Sequence, residues 1–292
     1  MFCIYFGFQL VPAATETLCL YAQLLSRSFS ATSSIQNYIS GVKKLHLLVG
    51  GEFPEDSFEL KLAIKGLQRR NPHCPNQAAP ITPDILSKIH SVMDITKPVD
   101  SVFWSLFLTA FFSLARKSNL VQNSLHRQGK QILRGDFQLH SRGMTVTFRW
   151  TKTIQFGQRS LQIPLIPISG SCLCPVAAYS NMVKLVPASP QVPAFSLPHK
   201  NTVRPVTYED YMKALRLVIQ NVGLDPSRYS THSFRRGGAT FAFKANVPGE
   251  LIKTQGDWLS EAYLKYLDLS LDNRYQVAEK MRDQIISEGS ER

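Results

Sequence analysis

The densest run of chemically able side chains is Thr231-His232-Ser233-Phe234-Arg235-Arg236-Gly237-Gly238. On a helix, His232 and Arg235 stand three apart and share a face. A guanidinium grips two phosphate oxygens at once, and an imidazole beside it can move a proton. Two glycines inside a helix cost stability, so Gly237 and Gly238 imply the close approach of another backbone or of a ligand. As a bare pattern H-x-x-R is common and usually marks a surface pair; its weight comes from company. Ser113-Leu-Ala-Arg116-Lys117-Ser-Asn119 places an arginine at the end of a strongly apolar segment. Trp150-Thr-Lys152-Thr places a lysine in a turn, and Gln255-Gly-Asp257-Trp258 leads to Tyr263 and Tyr266. Taken singly, Arg116 reads as a helix C-terminal charge, Lys152 as a solvated turn lysine and Tyr266 as a core aromatic.

The elements that must position these residues are legible from periodicity. Apolar residues at helical spacing predict helices from Glu16 to Ser28 and from Ser33 to Val49, with Leu18, Tyr21 and Leu25 on one face and Ile35, Ile39 and Val42 on the other. Ser33 or Ser34 is expected to cap the second. Phe58 to Leu67 predicts a third. Arg69 to Pro80 is proline-rich and lacks periodicity, which makes 71–80 a linker. Thr82-Pro83-Asp84 is a cap followed by proline at the first helical position, opening a helix through His90. Val102 to Ala115, with Phe103, Trp104, Phe107, Phe111 and Phe112, predicts a buried core helix. Strand-like runs follow at Gln131–Arg134, Asp136–Leu139, Met144–Trp150 and Ser160–Ile166, with a turn at Ser141–Gly143 and Lys152 in the last turn. Helices resume at Pro175, Tyr208 and Ser233. The expected fold is mainly α with a small antiparallel β-sheet, in two domains: a helical one over 1–70 and a larger one over 81–292.

The chain has 292 residues, 44% of them hydrophobic and 18% charged, which excludes disordered, collagenous and disulfide-scaffold classes. Lysine and arginine total 33 against 21 acidic residues, a formal net charge of +12. The excess is uneven: residues 1–80 hold 7 basic and 5 acidic side chains, whereas Arg116 to Arg204 holds 12 basic residues and a single acid, Asp136. A solvated surface normally mixes both signs, so this segment looks built to face a large anion. The five cysteines are too few and too irregular for a disulfide framework, and Cys172-Leu-Cys174 has the wrong gap for a zinc knuckle. A reducing compartment is expected. The apolar opening, Met1 to Leu10, falls short of the roughly twenty residues of a membrane span. It also lacks the basic start of a signal peptide, and reads as a truncated or mis-started first helix of a soluble protein.

Arg116, Lys152, His232, Arg235 and Tyr266, in that order, resemble the tyrosine recombinase (phage-integrase) family. The wording Arg116-Lys-Ser-Asn-Leu, Trp150-Thr-Lys-Thr, Thr231-His-Ser-Phe-Arg-Arg-Gly-Gly and Gly256-Asp-Trp is similar to recombinases of eukaryotic DIRS/Ngaro- and Crypton-type mobile elements. The resemblance extends over the whole chain. It implies a core-binding (SAM-like) domain at 1–70 and a tyrosine-recombinase catalytic domain at 81–292. It further implies Tyr266 as the nucleophile on a DNA phosphate, leaving a 3′-phosphotyrosyl link and a free 5′-hydroxyl. Arg116 and Arg235 would clamp the phosphate, Lys152 would protonate the departing oxygen and His232 would assist proton transfer, with neither metal nor cofactor.

Tyr266 is preferred to Tyr263 because it lies nine positions after Asp257, where the family usually carries His or Trp. Asp257 departs from that pattern, and Trp258, one later, is expected to supply the bulky indole. Asn119 stands where many relatives have a carboxylate. Lys43, Lys44, Lys117, Arg149, Arg159 and Arg236 are the candidate DNA contacts. The implied partners are double-stranded DNA and a homo-tetramer on paired sites, without a membrane, and the implied location is the nucleus. Two other readings share these residues: a recombinase-derived DNA-binding protein that no longer cleaves, and relaxation of the type IB topoisomerase kind. Val277, Met281, Ile285 and Ile286 predict a C-terminal helix that docks either on a neighbouring protomer or on its own domain.

Overall fold

The computed structural model describes residues 1–54, 57–72, 77–122 and 130–267, with 275, 278–283, 285 and 286. Cys74, Val277 and part of the expected linker (73–76) lie outside the described residues. The chain forms two compact units, Met1–Gln77 and Ala78–Arg292.

The first unit contains α1 (Phe2–Phe6), α2 (Thr15–Leu25), α3 (Thr32–Leu48) and α4 (Phe58–Arg70). Three of these helices bury one stripe each, bringing Leu18, Ala22 and Leu25 against Ile35, Ile39, Leu60 and Leu67. That is the pattern an amphipathic helix produces. Ser57 caps α4 by accepting the Leu60 N–H at 3.0 Å. Neither Ser33 nor Ser34 caps α3, which starts at Thr32 behind Ala31 with no side-chain cap. α4 runs three residues beyond Leu67, because Gln68, Arg69 and Arg70 are good helix formers and the arginines suit a helix C-terminus. His46 is fully buried: its Nε2 accepts the Ala13 N–H at 2.9 Å and its Nδ1 donates to the Val42 carbonyl at 2.8 Å. This fastens the segment before α2 onto α3.

The second unit opens with α5 (Pro83–Ser91), where Thr82 accepts the Ile85 N–H and Pro83 takes the first helical position, as expected. Next, α6 (Pro98–Phe112) is buried from Ser101 through Phe111. It starts four residues before Val102 because Pro98 supplies a second proline start. The short α7 (Lys117–Leu120) follows. Strands β1 (Phe137–His140), β2 (Gly143–Phe148) and β3 (Leu161–Leu165) form one antiparallel sheet in that order. Its register pairs His140 with Gly143 and Phe148 with Leu161. Gln131–Arg134 is not a strand. Its donors are used elsewhere: Leu133 N–H by the Asp136 carboxylate at 2.8 Å and Arg134 N–H by the Val192 carbonyl at 2.9 Å.

Then come α8 (Pro175–Leu185), the hairpin β4 (Ser196–His199) with β5 (Thr202–Pro205), α9 (Tyr208–Asn221), α10 (His232–Lys244) and α11 (Gly249–Gln255). The hairpin is invisible to sequence patterning because Pro198 and Pro205 interrupt it. A 3-10 turn follows at Glu261–Tyr266. Helix α6 is the hub, packed against α8 and α10. Gly238 explains the second contact, since a Cβ there would collide with the Phe111 carbonyl oxygen of α6; a Cβ at Gly237 would collide with the Ile81 carbonyl oxygen, just before α5. The close partner of these glycines is therefore another backbone. Among the described residues no helix is long and apolar enough to cross a membrane. The described residues 278–283 are helical, and Met281, Ile285 and Ile286 are exposed.

Candidate functional site

Arg235 lies on α10 within two turns of its start and is 2% exposed. Its guanidinium is held from two sides: Nη1 donates to the Leu114 carbonyl and Nη2 to the Gly256 carbonyl at 2.6 Å. Below it, the Trp258 ring stacks 3.7 Å from Cζ. An indole face stabilises a desolvated cation where no carboxylate touches it. Burial first, then the charge of Arg116, depress the Arg235 pKa to about 9, against the opposing influence of Tyr266 and Asp257. Arg235 thus remains cationic at neutral pH, and two of its five N–H donors are used on carbonyls.

Arg116 was expected at a helix end. The chain instead leaves α6 at Phe112, passes through Leu114 with φ 51°, and places Arg116 in extended conformation just before α7. Its Nη2 donates to the Asp257 carbonyl at 3.0 Å, and its Nη1 stands 3.4 Å from the Asp257 carboxylate. Asp257 itself has φ 54° and is almost completely buried. The left-handed backbone is tolerable for aspartate. Thr151 Oγ1 donates to its Oδ2 at 2.5 Å, Thr153 Oγ1 donates to the same oxygen, and Arg159 reaches Oδ1 at 2.6 Å. Burial alone would raise the Asp257 pKa. The hydrogen bonds from Thr151, Thr153 and Arg159, with the charge of Arg159, outweigh it and hold the carboxyl below the usual range.

Trp258 also packs against the Tyr266 ring, 5.2 Å between centroids, and the Arg235 Cζ is 5.3 Å from that ring. Tyr266 closes the 3-10 turn, fixed by Thr240 Oγ1 donating to its carbonyl at 3.1 Å. Tyr263 is buried with Leu114, Ala239 and Ile252, its ring 6.2 Å from Trp258. Of the two tyrosines, Tyr266 is the one beside the guanidinium. His232, the first residue of α10, keeps an edge in solvent. Crowding by protein, then the charges of Lys117, Arg235 and Arg116, hold its imidazole below the ordinary value. Lys152 is exposed between Thr151 and Thr153 in the β2–β3 loop.

Arg116, Arg235, Asp257, Trp258 and Tyr266 therefore converge, with His232 electrically coupled to them and the Lys152 loop tied to Asp257. The expected DNA contacts are placed differently. Arg149 is ion-paired with the buried Asp136, its Nε 2.9 Å from the carboxylate. Arg159 is taken by Asp257, and Lys117 lies 3.5 Å from the centre of the Tyr208 ring. Arg236 is half-buried on α10, while Lys43 and Lys44 lie on α3 in the first unit. Sequence reasoning missed the roles of Thr151 and Thr153, although T-K-T around the candidate lysine was a visible signal. It also missed Asn119 as an anchor: its Nδ2 donates to the Trp150 carbonyl at 2.6 Å.

The gap among Arg116, Asn119, Thr151, Arg235 and Asp257 measures about 10 Å³, too small for a metabolite. Among the described residues no three His, Cys, Asp or Glu side chains converge as a metal site. The arrangement suits an anion presented from outside, with two arginines and a phenol on one side of it.

No protein-family model matches the sequence, and no curated protein matches it. Solved structures do match. The Tn1549 transposon integrase in complex with transposon right end DNA is 13% identical, with 94% of this chain and 87% of that one covered, at TM-score 0.65. The XerH site-specific recombinase bound to palindromic difH substrate is 12% identical over 90% and 68%, at TM-score 0.57. A lambda integrase dimer bound to a COC′ core site is 12% identical over 93% and 69%, at TM-score 0.56. The chain spans 63% of the XerH chain in its pre-cleavage complex. The fold, mostly helical with small antiparallel sheets, is that of the tyrosine recombinases.

Proposed function

We propose that the chain is a DNA strand transferase of the tyrosine recombinase type. Residues 1–70 act as the core-binding domain, 71–80 as a linker and 81–292 as the catalytic domain. The reading rests on one observation above others: a single tyrosine, Tyr266, stands beside a buried arginine that is stacked on Trp258 and electrically coupled to Arg116. An interior of this polarity stabilises negative charge that develops on a bound phosphate.

In the proposed reaction the Tyr266 oxygen attacks the scissile phosphorus and its proton passes to His232. The lowered pKa of His232 keeps it neutral and able to accept at pH 7. The bond from phosphorus to the 5′-oxygen breaks, and Lys152 gives that oxygen a proton. Charge on the pentavalent phosphorane faces Arg116 and Arg235, so the scheme needs no metal. The DNA is left with a 3′-phosphotyrosyl link that conserves the bond energy. Attack by another 5′-hydroxyl reverses the sequence and exchanges strands.

The partner in this reading is double-stranded DNA; the Tn1549 integrase is in complex with transposon right end DNA, XerH is bound to palindromic difH substrate and the lambda integrase dimer to a COC′ core site. Lys43, Lys44, Lys117 and Arg236 would contact the backbone, with Arg149 and Arg159 contributing the donors left after their ion pairs. Assembly as a homo-tetramer on paired sites, membership among eukaryotic DIRS/Ngaro- or Crypton-type elements, and residence in the nucleus complete the proposal. The non-cleaving alternative draws on one observation, the contact of Arg116 with Asp257 in place of a phosphate. The test is incubation with a pool of randomised duplexes carrying a 5′-bridging phosphorothiolate, whose departing thiol rejoins poorly. Enzyme activity gives a covalent adduct on a denaturing gel that Tyr266→Phe abolishes. DNA retention with no adduct would replace the enzyme by the binding module.

A further inference from the structure

The β2–β3 connection spans residues 149–160 and has no strand ladder of its own. Beyond the Arg149–Asp136 pair at its start, four attachments hold it. Asn119 Nδ2 binds the Trp150 carbonyl, and Thr151 and Thr153 both place their hydroxyls on Asp257 Oδ2. Ile154 is completely buried, and its N–H returns to Thr151 Oγ1 at 3.1 Å. Arg159 closes the loop on Asp257 Oδ1. Lys152 sits in the middle of the anchored span. Asn119 and Asp257 thus both hold this one loop.

Resting on the strand-transferase reading, we infer that Asp257 is a positioning residue that docks the Lys152 loop beside Arg116 and Arg235. A lysine stem is long and flexible, so its ammonium reaches a departing oxygen reproducibly only if its backbone is fixed. A general acid must come within hydrogen-bond reach of the atom it protonates, and small misplacements cost large factors in rate. One carboxylate does this without cancelling the anion site. Arg159 on Oδ1 balances its charge, so that Arg116 and Arg235 together keep a net positive field for a phosphate. A histidine or tryptophan at position 257 could not accept from two hydroxyls and two guanidinium groups at once.

The test compares Asp257→Asn and the double variant Thr151→Ala/Thr153→Ala with Lys152→Ala and Arg116→Ala. Each is given nicked duplexes from a randomised pool with an ordinary phosphodiester or with a 5′-bridging phosphorothiolate. A thiolate departs without a proton, so only defects that act through the general acid are rescued by sulfur. Asp257→Asn and the threonine double variant should form adduct about 100-fold more slowly on the ordinary DNA, in keeping with the loss of a general acid. On the sulfur substrate they should recover to within about 3-fold of wild type, as should Lys152→Ala, whereas Arg116→Ala should stay slow on both. Equal loss on both substrates, or faster cleavage by Asp257→Asn because the carboxylate merely occupied the phosphate's place, would overturn the inference. Amide hydrogen exchange on the free protein separates this from failure of the enzyme reading. Asp257→Asn should speed exchange over residues 151–156 by about 10-fold while α6 and α10 stay protected. If wild type forms no adduct, exchange still decides: unchanged protection there refutes the docking role.

Discussion

Replacing Arg235 by methionine should leave the protein close to wild type in stability, while removing its chemistry. Arg235 is 2% exposed, and its guanidinium is held far below the usual arginine range, at about 9. With each tenfold step in acidity worth about 1.4 kcal/mol, the fold disfavours this charge by about 5 kcal/mol. Against that, methionine leaves the Leu114 and Gly256 carbonyls without their donor, at about 1–3 kcal/mol each, and it forfeits the stacking on Trp258. The opposing terms nearly cancel, so Arg235→Met should shift stability by no more than about 3 kcal/mol in either direction, in line with the general behaviour of buried charges replaced by apolar groups. The assay is urea denaturation of both proteins at pH 7, followed by adduct formation, which should fall about 1,000-fold for loss of a principal anion-stabilising group. The pH dependence carries a sign. The folded pKa is depressed, so the penalty is full below about pH 9 and fades as pH rises through that value. Any advantage of Arg235→Met therefore shrinks above pH 9. Destabilisation by more than about 3 kcal/mol would refute the reasoning, because it would mean that the hydrogen bonds and the indole far outweigh desolvation.

Gly238→Ala would normally stabilise a helix by up to about 1 kcal/mol. Here the added carbon meets the Phe111 carbonyl, and the substitution should instead destabilise by about 3 kcal/mol or more in a denaturant titration, since neither backbone can give way. Lys117→Ala should raise the His232 pKa, followed by imidazole NMR, because it removes the largest of the three neighbouring positive charges acting on the ring. In linkage terms, the lowered pKa of His232 contributes stability at neutral pH that is lost as pH falls from its ordinary value of 6.5 through the folded value. Tyr263→Phe should retain adduct formation within about 3-fold, as a core position whose hydroxyl lies against Gly249, while mixing two marked duplexes should give exchanged strands and so exclude simple relaxation.

Much of this arrangement was legible in the sequence because its causes are local. Proline at the first position of α5, the stripes of α2 and α3, and the apolar run of α6 each announce themselves within a few residues. The glycine pair in α10 signalled a close approach, but only tertiary packing could say that the neighbours are Ile81 and Phe111. What stayed hidden depends on long-range partners. Gln131–Arg134 has strand composition, yet its N–H groups answer to Asp136 and the Val192 carbonyl, and propriety of composition cannot override a lost ladder. In the candidate site, residue identities and order were readable, but charge pairing was not. Arg149 and Arg159 looked like free surface cations until Asp136 and Asp257, 13 and 98 residues away in sequence, were seen to hold them. Trp258 was anticipated as the indole near the site, and its stacking beneath Arg235 gives that expectation a geometry.

The most direct test of the central claim is to identify the residue that carries DNA. Wild-type protein trapped on a 5′-bridging phosphorothiolate duplex is digested, and the peptide bearing the 3′-nucleotide is sequenced by mass spectrometry. The account predicts a phosphodiester on Tyr266, within the peptide that follows Trp258, and none in Tyr266→Phe. A link on Tyr263 or on any other side chain, or DNA retained by the wild-type protein without a covalent link, would contradict it.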